Sequence, residues 1–111
     1  MPYINVSTSA KIEDKKKLLE EISILISSLT NKSKRFVMAK LDDNCEMYFD
    51  DDEPSCFLEI KSIGSLNPLD MAKPISDFIY EKMGIPIDKI YISFEDVSAS
   101  MWAWNGRTFE K

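Results

Sequence analysis

Leu18-Leu19-Glu20-Glu21-Ile22-Ser23-Ile24-Leu25-Ile26-Ser27-Ser28-Leu29 is the stretch from which the architecture follows. Its residues Leu18, Leu19, Ile22, Leu25, Ile26 and Leu29 recur every three or four positions, the spacing that gathers side chains into one stripe along a helix. The helix expected here runs from about Ile12 to Thr30, and Asn31, which tolerates the left-handed conformation, ends it. The pattern then returns. Ile75, Phe78 and Ile79 repeat Ile22, Leu25 and Ile26 at a constant separation, Gly84 stands where Asn31 stood, and Phe94-Glu95-Asp96 repeats Leu41-Asp42-Asp43. A period of this length marks two copies of one supersecondary unit.

Outward from the two helices the pattern changes to period two. A strand over Pro2 to Thr8 places Ile4 and Val6 on one face, and a strand over Cys56 to Ser62 does the same with Leu58 and Ile60. Each leads into a helix and then a second strand, Arg35 to Leu41 in the first half and Lys89 to Asp96 in the second. Asn67-Pro68 signals the start of the second helix, and Pro74 suggests that its regular part begins only there, to end at Met83. The halves are joined by a short Met47-Tyr48-Phe49 segment and the acidic turn Asp50-Asp51-Asp52-Glu53-Pro54. That turn lacks the glycine and ligand spacing of a calcium loop and reads as solvated. Met101 to Phe109 reads as a hairpin about Asn105-Gly106.

A strand, a helix and a second strand in succession make a crossover that joins parallel strands, and its fixed hand puts both helices on one sheet face. The fold class is therefore α/β (α+β in some schemes): two pseudo-symmetric βαβ units, a four-stranded mixed sheet, and one domain over residues 1–111. No segment is left to cover the other face. Phe36-Val37-Met38-Ala39 and Ile90-Tyr91-Ile92 are apolar at both strand parities, which points to burial against further subunits.

Composition removes several classes of function. The chain has no histidine, so Ser-His and Cys-His nucleophile systems and ordinary His-bearing zinc sites are excluded. A net charge of -5 argues against nucleic acid, whose phosphates need a basic face, and leaves no polybasic patch for a membrane. Cys45 and Cys56 make neither a C-x-x-C pair nor a disulfide framework and read as reduced thiols, a single bridge between them being the alternative. The absence of a basic region followed by an apolar core and a cleavage site gives no signal peptide, so a cytoplasmic location is expected, with non-classical secretion left open. No metal site is expected.

Chemistry is concentrated at the start of the chain. Pro2 follows Met1, and a small second residue allows the methionine to be clipped, leaving a free secondary amine at the end of a strand. Burial and a neighbouring cation both disfavour an ammonium and lower its pKa towards neutrality, where a general base is most effective. On position alone, Pro2 could equally just begin an edge strand, where a missing N–H costs nothing.

Pro2 behind Met1, the doubled βαβ plan, Lys61-Ser62-Ile63-Gly64, Ile90-Tyr91-Ile92-Ser93 and Trp104-Asn105-Gly106-Arg107-Thr108-Phe109 together resemble, in order and spacing, the macrophage migration inhibitory factor family of the tautomerase superfamily. The resemblance spans essentially the whole chain. It implies a homotrimer whose three sheets form a central barrel, with helices outside and active sites between subunits. It also implies a cofactor-free keto-enol tautomerase acting on phenylpyruvate-like or dopachrome-like compounds and, from the animal members, a signalling role as the alternative. Pro2 would be the catalytic base. Lys32 would hold the carboxylate or enolate oxygen of an α-keto acid or its enol, and the backbone N–H of Ile63 would reach the substrate. Tyr91 and Ser93 would come from the neighbouring subunit, and Tyr3, Phe36, Trp104 and Phe109 would line an aromatic mouth. The chain departs from the family at Ser93, where an asparagine is common, and at Ser55-Cys56, where the animal cytokines carry C-x-x-C. Without the resemblance, Lys32 reads equally as a solvated cation at a helix end, and the doubled plan would also suit a ferredoxin-like ligand-binding module.

Overall fold

The computed structural model describes residues 1–111. In chain order the elements are strand β1 (Tyr3–Thr8), helix α1 (Lys15–Thr30), strands β2 (Met38–Asp42) and β3 (Cys56–Ser62), helix α2 (Pro68–Met83), strand β4 (Ile90–Asp96), and the short strands β5 (Ala103–Trp104) and β6 (Arg107–Thr108). The main sheet has the order β2-β1-β3-β4. β1 runs parallel to β2, β3 runs parallel to β4, and the two units meet where β1 and β3 pair antiparallel.

The repeat read from sequence is the core. Ile22 and Ile26 of α1 and Ile75 and Ile79 of α2 are fully buried, and so are Ile4 and Val6 of β1 against Leu58 and Ile60 of β3. Both helices lie on this one face. Asn31 and Gly84 end their helices in the left-handed conformation, at φ 57° and φ 70°. Asn105 and Gly106, both at positive φ, form the two-residue turn between β5 and β6, as the hairpin reading required.

The hairpin is shorter than Met101 to Phe109, since Met101 ends a 3-10 turn, Ala99–Met101, and within the two βαβ units three boundaries differ from expectation by more than one residue. α1 begins at Lys15 and not Ile12, because Asp14 caps it by accepting the Lys17 N–H at 3.1 Å, while the Ile12 N–H is committed to the Asp43 carboxylate at 2.9 Å. Arg35 and Phe36 belong to a single 3-10 turn, Lys34–Phe36, opened by the Ser33 hydroxyl, so the strand starts only at Met38. α2 begins at Pro68 and passes through Pro74 without interruption. The Asn67 carbonyl accepts the N–H groups of Asp70 and Met71, and burial of Met71 and Ile75 on either side of Pro74 offsets the single hydrogen bond that the ring removes.

The face away from the helices is more polar than the strand sequences suggested. Register places Met38, Tyr3, Lys61 and Glu95 in one row across it, Lys40, Asn5, Glu59 and Ser93 in the next, and Asp42, Ser7, Phe57 and Tyr91 in the third. Val37, Ala39, Ile90 and Ile92 pack instead against the helix-side core. Doubly apolar strands are thus a misreading for residues 36–39, because Phe36 is outside the strand. In β4 the apolar character of this face rests on Tyr91 alone.

Ile22→Ala and Ile75→Ala should each lower stability in urea unfolding by about 2–5 kcal/mol, through lost burial and the cavity left behind. Leu69→Ala, at a site 90% exposed on α2, should stay within about 0.5 kcal/mol of the parent.

Candidate active site

Pro2 enters the sheet without an N–H to offer, and its carbonyl accepts the Met38 N–H at 3.0 Å, which fixes it beside the first residue of β2. The residue is fully buried. One side opens into a largely apolar cavity of about 460 Å³ whose walls include Pro2, Tyr3, Phe36, Met38, Lys61 and Trp104. A second hollow of about 310 Å³ is lined by Lys32, Ser33, Phe36, Ile63, Ala99 and Phe109. Met1 and Phe36 border both, so the two spaces meet at the chain terminus.

Local sequence explains the placement of each wall. The left-handed Asn31 turns the chain sharply out of α1, and the Ser27 hydroxyl holds the carbonyl of Lys32 at 2.5 Å. The Ser33-capped turn then swings Phe36 back over the strand ends, where its ring meets Trp104 edge-on at 5.7 Å. Trp104 sits in the terminal hairpin, and the N–H of Phe109 bonds the carbonyls of Ala99 and Trp102, both at 3.1 Å. Ile63 immediately follows β3, and the next residue, Gly64, donates its N–H to the Asp96 carboxylate at 2.9 Å.

Lys32 is half-buried and makes no ion pair with any carboxylate of the chain. Its charge is felt by the terminal amine. Burial first, and the Lys32 ammonium second, hold the α-amine of Met1 below its ordinary pKa. Both causes act against the protonated form, which is the direction a base at this terminus needs. Burial also pushes the Cys56 thiol up to about 12, so it is inert as a nucleophile, and Cys45 is likewise free.

Seven of the nine residues singled out from sequence therefore gather around the terminus: Pro2, Tyr3, Lys32, Phe36, Ile63, Trp104 and Phe109. Tyr91 and Ser93 do not join them. Tyr91 registers with Phe57, and Phe57 with Ser7, which lies about 14 Å along β1 from Tyr3 at the usual strand rise. Ser93 lies in the middle row. Sequence reasoning missed Met1, Met38, Lys61, Glu95, Met101 and Trp102, all of which line the larger cavity. Antiparallel pairing of the first and third strands would have brought Lys61 opposite Tyr3, but that pairing is a tertiary fact that periodicity does not carry.

A family model described as macrophage migration inhibitory factor matches residues 1–110. The chain belongs to this family. It is 27% identical to a macrophage migration inhibitory factor homolog of Trichinella spiralis, over 98% of this chain and all of that one. Among solved structures, the homologue from Prochlorococcus marinus superposes with a TM-score of 0.92 at 38% identity, covering 97% of this chain and 99% of that one. The Trichinella spiralis factor superposes with a TM-score of 0.90 at 26% identity, covering 96% and 99%. The two-helix, four-strand architecture is thus the tautomerase-superfamily fold of the family.

Replacing Lys32 by alanine should raise the pKa of the terminal amine, because a cation that disfavours the ammonium is lost. Titration of the amine by NMR after isotopic methylation checks the direction; an unchanged or lowered value would contradict the assignment of Lys32 as its neighbour.

Proposed function

We propose that the protein is a cofactor-free keto-enol tautomerase whose general base is the amine of Pro2, exposed by removal of Met1. The observation that carries this reading is the position of Pro2, fully buried against an apolar cavity and linked through Met1 to a hollow holding an unpaired lysine. Loss of Met1 joins the two spaces and transfers the low-dielectric surroundings and the nearby Lys32 charge to the secondary amine. An α-keto acid enol fits the combined slot, with its carboxylate at Lys32 and its ring between the apolar walls.

The chemistry needs only one proton carrier. The neutral Pro2 nitrogen takes the proton of the enol hydroxyl, the carbonyl forms as the carbon-carbon double bond opens, and the proton is returned to the adjacent carbon. The reverse direction begins with removal of that carbon-bound proton. Charge on the enolate oxygen faces the Lys32 ammonium and the Ile63 N–H in a partly desolvated site, where such interactions are strongest.

Assembly completes the site. Tyr91 and Ser93 lie on the open sheet face, in rows displaced from Pro2 along the strands. A homotrimer whose sheets pack side by side would bring these residues to the Pro2 of a neighbour, which a single chain does not do.

Pro2→Ala should lose most of the tautomerase activity with the fold intact, because the primary amine it exposes has a different basicity and geometry from the proline amine. Retained Met1 should be equally damaging, because an amide nitrogen is not basic. A phenylpyruvate enol assay on protein of verified N-terminal mass is the measurement, and full activity with an uncleaved tag would refute the assignment. Lys32→Ala should raise KM more for phenylpyruvate than for its ester.

Subunit sharing makes a separate prediction. Mixing Pro2→Ala chains with Tyr91→Ala chains under conditions of exchange should restore part of the activity, since some sites then carry neither lesion. Monomers at micromolar concentration in sedimentation, or proven exchange without recovery, would refute the shared site.

A further inference from the structure

The acidic turn is exposed, as expected, and it is also anchored by a buried lysine. Lys89, at the entrance to β4, is only 6% exposed. Its ammonium donates to the Phe49 carbonyl at 2.8 Å, pairs with the Asp51 carboxylate at 3.0 Å, and lies 5.1 Å from the centre of the Phe49 ring. Asp51 in turn accepts the Glu53 N–H at 2.9 Å, so the loop is closed on itself as well as tied to the strand. The Phe49 ring then lies 4.8 Å from the ring of Tyr91, tilted by 35°. Phe49 is the ring that packs on Tyr91, whose cross-strand neighbour on the same face is Phe57, and Tyr91 remains 61% exposed.

We infer that Lys89 is a positioning residue: by gripping Phe49 and Asp51 it sets the Phe49 ring against Tyr91, and so fixes the orientation in which Tyr91 meets a substrate held at the Pro2 of another subunit. The inference rests on the shared-site reading. Its physical basis is that an exposed ring on an edge strand has free rotamers unless a neighbour restricts them, and here the neighbour is itself pinned by a hydrogen bond, an ion pair and a cation-π contact. Asp51 is held below the ordinary carboxylate range chiefly by its bond from Lys89, and Lys89 is raised by the same contact, so the grip persists across neutral pH. Stability alone is a weak reason for the pair, because the Asp51 side chain is 45% exposed and ion pairs that reach solvent contribute little.

The test is steady-state kinetics on the Met1-processed, assembled protein with phenylpyruvate. Lys89→Met should raise KM about tenfold while kcat changes less than about twofold, the signature of lost substrate binding, with the sedimentation coefficient unchanged. Lys89→Arg keeps the charge, the donors and the ring contact and should restore KM to within about twofold. If Lys89→Met fails to fold, Asp51→Asn and Phe49→Leu probe the same grip from the solvent side and should each raise KM selectively. Tyr91→Ala serves as the reference. An unchanged KM in Tyr91→Ala would remove the shared-site reading and this inference with it. A raised KM in Tyr91→Ala with normal KM in Lys89→Met, Asp51→Asn and Phe49→Leu would overturn the positioning role alone. Equal losses in kcat and 1/KM accompanied by dissociation would likewise overturn it, since Lys89 would then serve assembly.

Discussion

The antiparallel pairing of β1 with β3 is the constraint on which the rest of the molecule depends. Each βαβ unit has a single helix and two strands and so buries its apolar surface on one side only. Joined at Ile4 opposite Ile60 and Val6 opposite Leu58, the two units share one core, and α1 and α2 cover it together. The same pairing sets Lys61 across from Tyr3 and makes β2 and β4 the outer strands. The site beside Pro2 and the rows across the open face are both consequences of that register. A slip of one residue would exchange the two faces throughout.

Burial does two kinds of work around the terminus. In the core it supplies cohesion without direction. At the amine it acts through electrostatics, since removing water from an ammonium lowers its pKa, and the unpaired Lys32 adds to the effect. The chain achieves this without histidine or a metal ligand cluster. The same physics has the opposite sign at Cys56, where burial opposes the charged thiolate and silences a potential nucleophile.

Much of this was legible in sequence because it follows from periodicity. Ile22, Ile26, Ile75 and Ile79 announced the repeat, and the repeat announced both crossovers and the single covered face. The terminal gathering of Pro2, Lys32, Ile63 and Phe109 came from resemblance, since residues so far apart in the chain have no local signal that unites them. What escaped was set by individual hydrogen bonds. Asp14 and Ser33 moved element boundaries by capping, and burial beside Pro74 overrode its usual role as a break. The Asp50 to Glu53 run is exposed, as a run of carboxylates usually is, but its anchor carried no local signal. The lysine that anchors it is distant in sequence, and only the fold brings the two together.

The two outer strands bear on how the chain behaves among many copies of itself. β2 and β4 each leave one row of backbone donors and acceptors without a partner strand in the chain, and such rows can template indefinite strand addition. Lys40 and Asp42 on one edge, with Ser93, Glu95 and Asp96 on the other, make a casual neighbour costly, since both edges must shed water from polar or charged groups before pairing. Those side chains therefore oppose growth into a ribbon at either edge.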